Sequence, residues 1–78
     1  MIENATIYRE SIEHLVNELK ADCSDVTCRI WDINKALSNG NKERLRMSAD
    51  YFDEVISECV SHLSQMRDVV NGIKAEAE

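Results

Sequence analysis

ALSNGNKERL, residues 36–45, is the short stretch near the middle of the chain where helix-forming residues give way to Ser38-Asn39-Gly40-Asn41. Elsewhere the 78 residues contain no proline and only one further glycine, a composition typical of long helices. A chain of this length with no internal repeat forms at most one domain. The sequence therefore predicts an all-α fold, one domain over residues 1–78, with a turn at Ser38–Asn41.

Apolar residues follow each other at alternating steps of four and three on both sides of this turn, the spacing of a and d positions in a heptad repeat. The two stripes are Ile12, Val16, Leu19, Cys23, Val26, Ile30, Ile33 and Leu37, and Leu45, Ala49, Phe52, Ile56, Cys59, Leu63, Met66, Val70, Ile73 and Ala77. If the chain reverses at the turn, paired residue numbers sum to 82, from Leu37 with Leu45 to Ile12 with Val70. We therefore predict an antiparallel helical hairpin.

The turn residues support this reversal. Gly40 is free to adopt the left-handed conformation that ends a helix. The Asn41 side chain is able to accept a hydrogen bond from a free N–H group at the start of the next helix. The turn chemistry and the apolar spacing therefore point to the same place.

The helix limits follow from similar signals. Asn4 or Thr6 is a candidate cap for the first helix, which we predict over about residues 5–38. Asn71-Gly72 reads as a second stop signal. We therefore predict the second helix over about residues 42–72, followed by a fraying C-terminus.

The positions beside the stripes indicate whether another element packs on the hairpin. On one flank, the g positions include the apolar or half-polar residues Tyr8, Leu15, Val55, His62 and Val69. The same geometry places His62 opposite Asp22. The other flank, the e positions, is polar, and Glu13 and Arg67 are placed to pair across the hairpin. An apolar a/d stripe that is widened by apolar g residues is typical of a helix in a bundle. We therefore predict a homodimer that forms through this flank and makes a four-helix bundle.

The residue types that carry chemistry do not converge in this pattern. Cys23 and Cys59 are expected to share a core layer, where cysteine acts as a small apolar residue. A zinc site needs about four convergent ligands, and neither His14 nor His62 is expected in that layer. The sequence thus predicts no catalytic residue, no metal site and no bound cofactor.

Trp31 fits the core pattern least, because it follows Ile30 at an outward b position, with Cys28 one turn before it and Lys35 one turn after it. An exposed aromatic side chain is a candidate anchor for a protein partner. The alternative is that Trp31 folds down over Thr27 and the neighbouring helix. We predict a partner-binding surface formed by Trp31, Cys28 and Lys35.

Charge and cysteine content narrow the function classes. Fifteen acidic against nine basic residues give a net charge of −6, which disfavours nucleic-acid and anionic-membrane partners. An odd number of cysteines, three, without a signal-peptide-like start favours the cytoplasm. The sequence predicts a non-enzymatic protein-interaction module, a small dimeric helical-bundle adaptor or regulator that binds a protein partner through an acidic outer face and Trp31. The alternative is an acidic inhibitor or immunity-type protein of a mobile element that blocks a nuclease or a nucleic-acid-binding complex by charge mimicry, and an RNA-binding regulatory bundle ranks third.

Overall fold

The computed structural model describes residues 3–78 and consists, over that range, of two helices packed against each other. Helix α1 spans Ala5–Asn39 and helix α2 spans Lys42–Ala77. The hairpin is a rod with principal extents of 58 × 17 × 13 Å. Within the described residues, neither helix holds a stretch that is long and apolar enough to cross a bilayer.

The turn has the chemistry that the sequence predicts. Gly40 has a φ of 69° and ends α1 in the left-handed conformation. Asn41 precedes α2, and its Oδ1 accepts a hydrogen bond from the backbone N–H of Arg44 at 3.1 Å. The chain thus reverses over two residues, with one residue ending the first helix and the next capping the second.

The outer ends of the helices differ from the sequence prediction. The Asn4 side chain makes no capping hydrogen bond to α1, and its Nδ2 instead donates to Glu76 near the end of α2. Helix α2 does not stop at Asn71-Gly72 but continues to Ala77. At Gly72 an added Cβ would lie 3.0 Å from the Oη of Tyr8. This glycine therefore allows the Tyr8 ring of α1 to approach α2 closely.

The contacts across the hairpin fix its register. Tyr8 packs on Gly72, Glu18 lies beside His62, and the Arg29 guanidinium lies over the Tyr51 ring. The residue numbers in each of these contacts sum to 80, and those of Asp22 and His62, which are 2.6 Å apart, sum to 84. The contacts thus lie on both sides of the predicted sum of 82.

The helices meet along a different stripe from the predicted one. The d residues, Ile12, Leu19, Val26 and Ile33 on α1 and Leu45, Phe52, Cys59, Met66 and Ile73 on α2, are partly covered as expected. The g residues are buried or partly covered too: Tyr8, Leu15, Asp22, Arg29 and Ala36 on α1, and Ser48, Val55, His62, Val69 and Glu76 on α2. The a residues are exposed. The prediction of an a/d contact between the helices is therefore wrong, because each helix is turned by about 60° so that d and g face its neighbour.

Candidate protein interface

One face of the hairpin is lined by apolar residues that the chain itself leaves uncovered. We define this apolar face by the exposed a residues Val16, Cys23, Ile30 and Leu37 on α1 and Ala49, Ile56, Leu63 and Val70 on α2. The larger side chains among them are between 37% and 59% exposed. Members of each row are seven residues apart, or about two helical turns, so each row runs along the length of its helix.

Both rows lie on the same face of the rod. Successive helical residues are about 100° apart, so a residue two positions after an a residue points about 160° away from it. Glu18, Tyr51 and Gly72 each hold that position, after Val16, Ala49 and Val70, and each contacts the other helix. The three contacts therefore define the opposite face, and the two rows of a residues share the face that remains.

The residues predicted to form the dimer contact lie elsewhere. Tyr8, Leu15, Val55, His62 and Val69 are all g residues and pack between the two helices of one chain. Leu15 is only 3% exposed. The hairpin uses this apolar flank for its own helix contact, and that is why the a residues are left on the surface.

A polar cluster lies within the contact between α1 and α2. The Nδ1 of His62 is 2.6 Å from the Oδ2 of Asp22, and its Nε2 is 3.6 Å from the Oε2 of Glu18. Asp22 is 4% exposed. The hydrogen bond to Asp22 raises the pKa of His62 above its ordinary value of 6.5, as do the charges of Asp22, Glu18 and Glu58, while partial burial opposes the rise. The cluster therefore favours a protonated imidazole that donates to a buried carboxylate.

Trp31 stands largely in solvent, with 73% of its surface exposed. It lines an open groove on the outer side of α1 together with Asp32, Asn34, Lys35 and Ser38. The structure thus brings together two of the three residues predicted to bind a partner, Trp31 and Lys35. Cys28 is exposed on the same helix but does not line this groove.

A second open groove near the turn was missed by the sequence reasoning. The Arg29 guanidinium lies 5.3 Å from the centroid of the Tyr51 ring, and its Nη1 is 3.1 Å from the Oδ2 of Asp32. Both Arg29 and Tyr51 line the groove. The signal in the sequence was a cation and an aromatic residue whose numbers sum to 80, within two of the predicted 82.

Other sequence expectations concern metal and ion-pair chemistry. Over residues 3–78, no three His, Cys, Asp or Glu side chains are grouped so that they could hold a metal ion. Cys23 is exposed on the apolar face whereas Cys59 is partly covered between the helices, so they do not share a core layer. The ion pairs of the described residues do not include Glu13 with Arg67. Both side chains are exposed.

Comparisons with protein-family models, with curated proteins and with solved structures found no match to this chain.

Proposed function

We propose that this chain is a non-enzymatic protein-association module that works as one half of a four-helix bundle, with a second copy as the other half. The observation that carries this proposal is the apolar face, two parallel rows of exposed apolar residues on the same side of the hairpin. Contiguous apolar surface of this kind marks protein interaction sites in water-soluble folds.

The large exposed surface area of the hairpin supports the proposal that another protein chain covers part of it. A compact protein of 8.9 kDa exposes about 4,800 Å², whereas this chain exposes 6217 Å². The excess of about 1,400 Å² is more than the roughly 800 Å² that each partner contributes to a standard interface. The radius of gyration of 17.5 Å also exceeds the value of about 11.5 Å for a compact domain of this length.

The core of the single hairpin is small. Leu15 and Ala36 are the apolar residues buried within the described chain. Burial of apolar area is the main favourable term in folding, at about 25 cal/mol per Å². Covering the apolar face would therefore add substantially to the stability of the hairpin.

The heptad positions support a second copy as the missing part of the core. In a four-helix bundle, each helix turns a and d toward the centre and uses g and e to meet its two neighbours. Here d and g are already covered by the other helix of the chain, while a and e remain exposed. The a/d stripe in the sequence is therefore the core of the bundle rather than of the hairpin alone.

The outer surface of such a bundle would remain available for another protein. Trp31 lies at a b position, away from the apolar face, and its groove includes Lys35. We propose this groove as the site that a protein partner of the adaptor or regulator binds, in the cytoplasm. Affinity capture from native lysate with wild type and Trp31→Ala side by side tests it. A partner lost only with Trp31→Ala is the expected result, and an unchanged set of partners would remove Trp31 from the proposal.

A second candidate function is the acidic inhibitor that acts by charge mimicry. It is favoured by the side of the hairpin opposite the apolar face, where the acidic residues Glu18, Asp25, Asp32 and Glu58 share the c position of the heptad. A captured nuclease that DNA displaces would support this function. Capture that DNA leaves unchanged would favour the adaptor. The net charge of −6 makes the RNA-binding function the least favoured, and a gel shift at moderate salt tests it.

Two equally exposed residues provide a matched test of the apolar face. Leu63 belongs to it, and Met47, on the far side of α2, is also 52% exposed, the same as Leu63. We expect Leu63→Glu to be monomeric in analytical ultracentrifugation, because it places a charge in the bundle core. Met47→Glu should keep the mass of the wild type. If both variants kept the mass of the wild-type dimer, the apolar face would not be the contact between the two copies.

A further inference from the structure

We infer that the second copy covers the apolar face with its turn at the same end of the rod, so that α1 of each copy packs against α2 of the other. This inference rests on the proposed four-helix bundle and specifies its arrangement. The two-fold axis then runs parallel to the helices. A rotation about such an axis leaves every residue at its own height along the rod.

The register of the hairpin then fixes which residues meet between copies. His62 contacts both Glu18 and Asp22, and Arg29 contacts Tyr51, so residues whose numbers sum to between 80 and 84 lie at about the same height. The exposed e residues border the apolar face on its outer sides. They are Glu13, Lys20, Thr27 and Asn34 on α1, and Arg46, Asp53, Val60 and Arg67 on α2.

In this arrangement the e residues form four kinds of pair, each summing to 80. They are Glu13 with Arg67, Lys20 with Val60, Thr27 with Asp53, and Asn34 with Arg46. Glu13 and Arg67 carry opposite charges, and none of the four pairs joins like charges. Glu13 and Arg67 are also the two residues that the sequence suggested as a pair and that the single hairpin leaves apart.

The other closed arrangement places the two turns at opposite ends of the rod. Each helix then faces its own counterpart in antiparallel order, with α2 crossing near Val60. Asp53 would face Arg67 of the second copy favourably, but Arg46 would face Lys74. Lys20 would lie close to its own counterpart. Like charges held opposite each other are destabilising, so the arrangement with the turns together fits these side chains better.

A charge swap tests this arrangement directly. We expect Glu13→Lys or Arg67→Glu alone to raise the dimer dissociation constant about 5- to 30-fold, since two ion pairs become like-charged pairs in each dimer. The double variant Glu13→Lys/Arg67→Glu should return to within about threefold of wild type. Glu10→Lys, on the outward side of the same helix turn, is the matched control for net charge and should have little effect.

The opposite arrangement predicts a different result for the double variant. Glutamate at position 67 would face Asp53 of the second copy, so the dimer dissociation constant of the double variant would stay high. That outcome would overturn the inference. Equal dissociation constants for Glu13→Lys and Glu10→Lys would overturn it as well.

A distance measurement gives an independent readout. A spin label on Ser38→Cys, with Cys23, Cys28 and Cys59 replaced, lies near the turn and away from the apolar face. At 1.5 Å per residue, the two labels should be within about 30 Å with the turns together and about 50 Å apart with the turns at opposite ends. The longer distance would overturn this inference alone, whereas a monomeric wild type would overturn the proposed bundle as well.

Discussion

The Nδ1 of His62 on α2 lies 2.6 Å from the Oδ2 of Asp22 on α1, between two helices whose contact is otherwise mainly apolar. Asp22 is 4% exposed, so its carboxylate depends on this partner for a hydrogen bond. A buried polar pair of this kind is costly to separate. It therefore favours the one register in which the two residues meet.

The stability of the protein should decrease as His62 loses its proton. The pKa of His62 is raised by the hydrogen bond to Asp22. The hydrogen bond from protonated His62 to Asp22 therefore contributes its full stabilisation below the ordinary pKa of 6.5, and this stabilisation is lost as the pH rises through the higher folded-state pKa. We expect the melting temperature to fall as the pH rises above about 6.5 and through the raised pKa of His62. In His62→Gln the fall over this range should be smaller. Parallel melting curves for the two proteins would contradict this role of His62.

Replacing His62 alone should lower the stability of the protein more than replacing both Asp22 and His62. His62→Leu leaves the Asp22 carboxylate buried without its partner and should lower the melting temperature clearly. Asp22→Leu/His62→Leu should recover part or all of the loss, because two apolar side chains in the helix contact need no hydrogen bond. Thermal unfolding at about pH 6, below the raised pKa of His62, is the measurement. A double variant less stable than His62→Leu would show that the pair is not the main interaction at this place.

Gly40→Ala should destabilise the hairpin by about 1–2 kcal/mol, because an L residue pays this cost in the left-handed conformation. An added Cβ at Gly40 would have no neighbour within 4 Å, so the loss would come from the backbone alone. Chemical denaturation of Gly40→Ala and of the adjacent control Asn39→Ala measures it. Equal stability of the two variants would contradict the left-handed turn.

Gly72 and Tyr8 should be energetically coupled. Replacing a mid-helix glycine by alanine gains about 0.5–1 kcal/mol in helix stability, but here the new methyl group would lie 3.0 Å from the Tyr8 Oη and 3.2 Å from its Cε1. We expect the full gain for Gly72→Ala only in a Tyr8→Ala background, and a smaller gain or a loss in wild type. Denaturation of the four proteins gives the coupling energy. Equal gains in both backgrounds would show that Tyr8 does not pack on this glycine.

The sequence was sufficient to predict two helices, the turn and the apolar stripes. The chemistry of Gly40 and Asn41 is local, and the periodicity depends on the helix alone. The orientation of the helices was not predicted, because a, d and g are all largely apolar and the spacing does not say which two of them face the neighbour in the same chain. Leu15 and Val55 at g carried that information, since they widen the stripe on one side.

The site was predicted less completely than the fold. Trp31 was recognised as an exposed aromatic residue because it breaks the heptad pattern. The apolar face was not recognised as such, since its residues had been assigned to the contact between the helices. Gly72 was misread as a stop signal because a sequence does not show that a tyrosine 64 positions earlier packs against it.

Sedimentation equilibrium of the wild-type chain at micromolar concentration tests the central claim most directly. If the hairpin is half of a four-helix bundle, the mass should be about twice the 8.9 kDa of one chain. A mass that stayed at 8.9 kDa across this concentration range, with the helices still folded by circular dichroism, would contradict the account.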